Sequence, residues 1–218
     1  MKKLCTLLVG FLLISQAFAQ QGFPFESEIR AFKHQDSVDF PKPNGILFIG
    51  SSSIRKWTDL EQRFPDVNII RRGVGGCELW QIVDYYTPFI VFPYHPRKIF
   101  IYAGENDIAA GRTGKFVSDE FEKLYGMLTQ KLPGAEIYFL SIKPSPSRIR
   151  YFAEVDMAND LIERFLKNKP KSHFIDVGTV LYEAGTTVPD YTLFEADYLH
   201  LSKKGYDKWQ KVLQPYIK

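Results

Sequence analysis

Three consecutive hydroxyls, Ser51, Ser52 and Ser53, follow an apolar run, Ile46-Leu47-Phe48-Ile49, that stops at Gly50. A serine delivered by the end of a buried strand becomes a nucleophile if a base reaches it. Two later segments carry the complementary groups. Gly104-Glu105-Asn106-Asp107 closes a second apolar run, Ile99-Phe100-Ile101-Tyr102-Ala103, and Asp197-Tyr198-Leu199-His200 lies near the C-terminus. Serine-based acyl transfer needs an imidazole base, a group that holds its tautomer, and preorganised donors for the oxyanion. Asn106 can donate two hydrogen bonds from its amide, which an aspartate there could not. Asp197 and His200 are three apart, a spacing that in a helical turn or tight loop puts both side chains on one face. Singly, each segment has a plainer reading. Serine runs are common in polar turns, Gly73, Gly75 and Gly76 could mark a flexible turn, and Asp-x-x-His is often a surface helix start. Their order and combination carry the signal.

These groups need a scaffold that brings them to one edge. Five short apolar, β-branched or aromatic runs, Ile46–Gly50, Val67–Arg71, Lys98–Ala103, Glu136–Ser141 and His173–Val177, read as strands buried on both faces. Between them, Val117, Phe121, Leu124 and Leu128, then Tyr151, Val155, Ala158, Ile162 and Phe165, each form one apolar helical stripe. Phe25 to His34 reads as a short helix, and Phe40-Pro41-Lys42-Pro43-Asn44-Gly45 as a punctuated lead into the first strand. This prefix is expected to pack across the sheet. A last helix should start near Ser202 and bury Trp209, Val212 and Leu213. The alternation predicts an α/β fold, a three-layer α/β/α sandwich around a five-stranded parallel sheet. Ligands bind such sheets beyond the carboxyl ends of the strands, where Ser52, Gly76 and Asn106 all fall.

Composition narrows the function. Met1-Lys2-Lys3, the apolar stretch Leu4 to Ile14, and Ala17-Phe18-Ala19 before Gln20 have the form of a cleaved secretory signal over residues 1–19. The apolar stretch is shorter than the roughly 20 residues that span a bilayer, so stable membrane insertion is not expected. Cys5 stands away from the cleavage point, unlike a lipid-modified cysteine. Losing Lys2 and Lys3 lowers the formal charge from +3 to about +1, and no basic block remains to bind nucleic acid. Cys77 is then the sole cysteine, which leaves no intramolecular disulfide. Residues 20–218 should form a single domain, with 20–45 as its N-terminal helix and lead-in. His34, His95 and His173 have no carboxylate at metal-ligand spacing. Neither a metal nor a cofactor is expected.

The chain resembles the SGNH (GDSL-type) hydrolase superfamily of esterases and acylhydrolases. Its blocks correspond to Gly50-Ser51-Ser52, Arg72-Gly73-Val74-Gly75-Gly76, Gly104-Glu105-Asn106-Asp107 and Asp197-Tyr198-Leu199-His200. The resemblance implies the flavodoxin-like fold of that superfamily. It implies Ser52 as nucleophile, His200 as general base and Asp197 as its orienting partner. It also implies an oxyanion hole from the N–H groups of Ser52 and Gly76 and the Asn106 amide, with Gly75 the alternative to Gly76. The closeness of Asp197 and His200 separates the chain from an α/β-hydrolase, whose nucleophile lies in Gly-x-Ser-x-Gly; here the fifth position is Ile54. Two positions depart from the pattern: Ser51 replaces the usual Asp, and Cys77 stands where Asp or Ser is common. Ser51, Cys77, Glu105 and Asp107 are candidate substrate contacts. The expected activity is hydrolysis of short acyl esters, chiefly O-acetyl groups on carbohydrate, in the periplasm or outside the cell. The alternatives are a lipolytic acylhydrolase of lysophospholipase or thioesterase type, and a non-catalytic glycan-binding protein on the same scaffold.

Overall fold

Side-chain alternation along the strands creates two cores, one on each face of a single sheet. In the computed structural model, which describes residues 22–217, the strands are β1 (Ile46–Gly50), β2 (Ile69–Gly73), β3 (Lys98–Tyr102), β4 (Glu136–Leu140) and β5 (Ser172–Ile175). The predicted signal, residues 1–19, lies outside the described residues. Leu47, Ile49, Ile99, Ile101, Ile137 and Phe139 point to one core, and Ile46, Phe48, Phe100, Tyr102, Tyr138 and Leu140 to the other. This is the period of two that an extended chain imposes. Phe48, Phe100, Tyr138 and His173 are cross-strand partners, and their rings stack at 4.6, 4.5 and 4.7 Å. Such pairs each add about 0.2–1 kcal/mol and help fix register.

All pairings are parallel, in the order β2-β1-β3-β4-β5. The chain leaves β1 toward β2 and then crosses back to place β3 on the other side. This opens a crevice at the carboxyl ends of β1 and β3. One layer holds α1 (Glu26–Val38), the helical stretch α4 (Leu79–Gln81) and α5 (Thr87–Ile90), then α7 (Gly114–Lys131) and α8 (Phe152–Leu166). The other holds α2 (Ser52–Arg55), α3 (Leu60–Arg63) and α9 (Lys203–Leu213); α6 (Glu105–Ala109) follows β3 at the edge. The molecule is therefore the three-layer α/β/α sandwich that the alternation predicts.

Several boundaries differ from the sequence reading for local reasons. β2 starts and ends two residues later than predicted, and Arg71 and Arg72 lie within it. Each arginine has a carboxylate partner, Glu61 for Arg71 and Asp36 for Arg72, so an edge strand tolerates both charges. β5 stops at Ile175 because the Asp176 carboxylate accepts the N–H groups of Gly178 and Thr179 at 2.9 and 3.0 Å and turns the chain. α1 runs on to Val38. Tyr151 ends a 3₁₀ turn, Pro146–Tyr151, rather than opening the helix. Ser202 caps α9 as expected, and Trp209 and Leu213 are fully buried, with Val212 only partly so. Helical residues 79–90 were not anticipated. A π turn, Ile82–Tyr86, interrupts their period, and Pro88 follows in α5.

Candidate active site

The end of β1 can turn sharply because Gly50 adopts φ +141°, and a Cβ there would meet the Tyr102 carbonyl oxygen at 1.9 Å. Ser51 N–H donates to that carbonyl at 3.0 Å, and Ser52 becomes the first residue of α2. Ser51 and Ser53 are buried, whereas Ser52 keeps solvent access. Its hydroxyl alone of the triplet reaches the imidazole, with Oγ 2.9 Å from His200 Nε2.

His200 is held by a tight turn. Asp197 Oδ1 accepts the N–H groups of Leu199 and His200 at 3.0 and 2.9 Å, and Tyr198 takes the left-handed φ of +52° between them. Oδ2 lies 2.6 Å from His200 Nδ1. With the proton on Nδ1, the lone pair of Nε2 faces the Ser52 hydroxyl, the arrangement a base requires. Desolvation opposes the Asp197 charge, but the hydrogen bonds from His200 and Leu199 and the imidazole's field outweigh it. The carboxyl is held well below the usual range and stays ionised. Lys56 Nζ sits 3.0 Å from Nδ1 and 3.9 Å from Asp197 Oδ2, a cation beside the pair that the sequence reading missed.

Three donors converge on the same edge. Asn106, the second residue of α6, gives one amide hydrogen to the Cys77 carbonyl at 2.9 Å, which ties the β3 loop to the β2 loop and leaves its second hydrogen without a partner among the described residues. Gly75 N–H is taken by the Glu28 carboxylate at 3.1 Å. Gly76, exposed and at φ +82°, has an N–H with no partner among the described residues, as does Ser52. Of the two glycines, Gly76 is therefore the one whose N–H is available to a ligand by hydrogen-bond accounting.

The four candidate substrate contacts need correction. Ser51, Cys77, Glu105 and Asp107 retain 3, 0, 5 and 0% of their surface, so they support the edge from beneath. Burial, then the charges of Asp107, Glu28 and Glu78, pushes the Cys77 thiol well up and leaves it inert. Glu105 Oε2 accepts from Lys143 Nζ at 2.5 Å and from the Tyr102 hydroxyl at 2.9 Å, while Oε1 accepts from the Ser145 hydroxyl at 2.5 Å. Ser145 Oγ also reaches the Leu199 carbonyl at 3.4 Å, and Ser147 N–H donates to the Tyr198 carbonyl at 3.0 Å. The segment after β4 thereby supports the His200 turn. A lysine inside the short polar run Ser141-Ile142-Lys143-Pro144-Ser145, directly after a buried strand, was the available signal.

Asp107 joins the same edge to α4 through Leu79 N–H, 2.7 Å from Oδ2. Burial raises its carboxyl to about 6, the Leu79 bond opposing and the Glu78 charge adding. The folded state therefore holds this proton more tightly than the unfolded chain. Its contribution is fully present below about pH 4 and is lost as pH rises through 6. A shift of about two units corresponds to no more than ~3 kcal/mol. Asp107→Asn keeps an acceptor for Leu79, and its stability relative to wild type should rise between pH 4 and pH 7.5. Urea denaturation at both pH values measures this, and parallel pH dependences would refute it.

A flavodoxin-like sheet with a carboxylate, an imidazole and a hydroxyl in line at its carboxyl edge defines the α/β class equipped for serine-based acyl transfer. Residues 50–208 match the GDSL-like Lipase/Acylhydrolase family, well over half of the chain. The chain belongs to that family and is an ester-hydrolysing enzyme. Solved structures share the fold. A Streptococcus pneumonia protein provisionally described as a platelet activating factor is 23% identical, with 98% of each chain covered and a TM-score of 0.78. A GDSL-like lipase from Bacteroides thetaiotaomicron is 17% identical over 87% of this chain and 96% of its own, at TM-score 0.73. A carbohydrate esterase family 3 protein from Talaromyces cellulolyticus is 15% identical over 78% and 94%, at TM-score 0.63. No curated protein matches the chain significantly.

Proposed function

We propose that this chain is an exported serine esterase that removes short acyl groups, chiefly O-acetyl, from carbohydrate. The observation that carries the mechanism is the line from Asp197 through His200 to Ser52, at 2.6 and 2.9 Å, beside donors that have no partners among the described residues. His200 Nε2 takes the Ser52 proton as Oγ attacks the ester carbonyl. The N–H groups of Ser52 and Gly76 and the free Asn106 hydrogen receive the oxyanion. His200 then protonates the leaving alcohol, and water, deprotonated by the same imidazole, releases the acid and restores Ser52.

The carbohydrate assignment is supported by Tyr191 and Tyr198, an exposed edge-to-face pair at 5.3 Å adjoining the Asp197–His200 turn, suited to a sugar face. Export is supported by the leader pattern of residues 1–19 and by the inert, fully buried Cys77, which tolerates an oxidising compartment. Among the described residues no helix is long and apolar enough to cross a membrane.

A fluorophosphonate should label Ser52, as located by mass spectrometry of the peptide. A p-nitrophenyl ester series should peak at acetate to butyrate, and a maximum at palmitate would favour the lipolytic reading instead. Absence of labelling on the folded protein would remove the nucleophile assignment. The secreted chain should begin near Gln20; an intact Met1 on it would count against processing.

A further inference from the structure

The segment before the family-matched region reaches the oxyanion corner. Phe23 stacks on Tyr85 and Phe89 at 5.9 and 5.8 Å, and the Pro24 carbonyl accepts the Tyr86 hydroxyl at 2.9 Å. Beyond Phe25, the Glu28 carboxylate accepts Gly75 N–H and lies 3.4 Å from Arg55 Nε. Between these anchors Phe25 takes the left-handed conformation, φ +56° and ψ 25°. That conformation is rare for a bulky residue and would suit glycine or asparagine better. Phe25 nevertheless stays 37% exposed, and its ring lies beside Gly76, where a Cβ would come within 3.8 Å of its Cζ. A strained backbone fixed from both sides, presenting a half-wet aromatic ring, is poorly accounted for by packing alone.

We propose that Phe25 is a specificity-determining residue, a wall at the oxyanion corner that limits the length of the acyl group Ser52 can accept. The inference rests on the esterase reading above. The ring borders Gly76, whose N–H would receive the carbonyl oxygen, so an acyl substituent extending to this side would approach the ring. A short acyl chain fits against the ring, whereas a longer one must displace it. Glu28 and the Phe23 cluster anchor the chain on either side of Phe25.

The test is the p-nitrophenyl ester series from acetate to octanoate at constant alcohol, run on wild type, Phe25→Ala and Phe25→Leu. Each accommodated methylene is worth about a fourfold preference by burial of apolar area. The ratio of kcat/KM for hexanoate over acetate should rise at least about tenfold in Phe25→Ala and by less in Phe25→Leu, which retains most of the bulk. Equal ratios in all three proteins would overturn the proposal, as would a change seen only when the alcohol is varied at constant acetyl. If Phe25→Ala does not fold, the Phe25→Leu ratio decides. Loss of acetate hydrolysis and of fluorophosphonate labelling in wild type would instead refute the esterase mechanism.

Discussion

Ser52→Ala should lower kcat for p-nitrophenyl acetate by roughly a millionfold, the scale seen when the nucleophile of a serine hydrolase is removed. The expectation follows from the geometry of a single oxygen. Of the three serines, only Ser52 Oγ lies within hydrogen-bond reach of His200 Nε2, at 2.9 Å, while its neighbours Ser51 and Ser53 are buried at 3 and 1% exposure. Neither can replace it without unwinding the first turn of α2. The loss should be chemical rather than structural, because Ser52 Oγ has no hydrogen-bond partner among the described residues other than the imidazole. His200→Ala should cost a similar factor, and the double variant little more, since the two act as one unit. Asn106→Ala should cost less, on the order of a hundredfold to a thousandfold, because it removes one oxyanion donor among three. Steady-state kinetics with matched thermal melts measures all of these. Ser52→Ala that folds and keeps a tenth of wild-type turnover would show that another group attacks the ester.

Lys143→Met should destabilise the fold by about 3–5 kcal/mol, the usual result of stripping one partner from a buried ion pair. Lys143 and Glu105 side chains are 1 and 6% exposed and meet at 2.5 Å. Burial pulls the Lys143 ammonium down in pKa, with the Glu105 charge acting against it. Methionine fills most of the volume but leaves the Glu105 carboxylate with only the hydroxyls of Tyr102 and Ser145. Adding Glu105→Gln removes the stranded charge and should recover much of the loss, a coupling that a double-mutant cycle in urea isolates. A loss below about 1 kcal/mol in the single variant would mean that the pair is not the desolvated one its exposure indicates. Since Ser145 and Ser147 bind the Leu199 and Tyr198 carbonyls, the single variant should also loosen His200 and lower kcat more than it raises KM.

The fold class was legible, and the candidate catalytic groups could be named, because both rest on local rules. Alternating β-branched and aromatic runs separated by helical stripes imply a parallel sheet, and the four motifs occur in family order at its carboxyl ends. Residues 79–90 were less legible, since a π turn and Pro88 break the period that a helix would display. The predicted β2 ended at Arg71, whereas the strand runs on through Arg72 to Gly73, and both arginines are neutralised by tertiary partners. Their partners, Glu61 and Asp36, are 10 and 36 positions away in the chain.

The same division holds at the active edge. Asn106, Asp197 and His200 could be singled out from the sequence because residue type and spacing encode what each could do, and the family resemblance pointed to Ser52 among the three serines. Burial belongs to the folded molecule. It turned Ser51, Cys77, Glu105 and Asp107 from candidate contacts into supports. Tertiary structure also decided that Gly75 N–H is occupied by Glu28 while Gly76 N–H has no partner among the described residues, and that Lys143, Ser145 and Phe25 stand around the site. Those outcomes depend on chain segments far apart in sequence competing for the same donors, acceptors and space, a competition that no short motif contains.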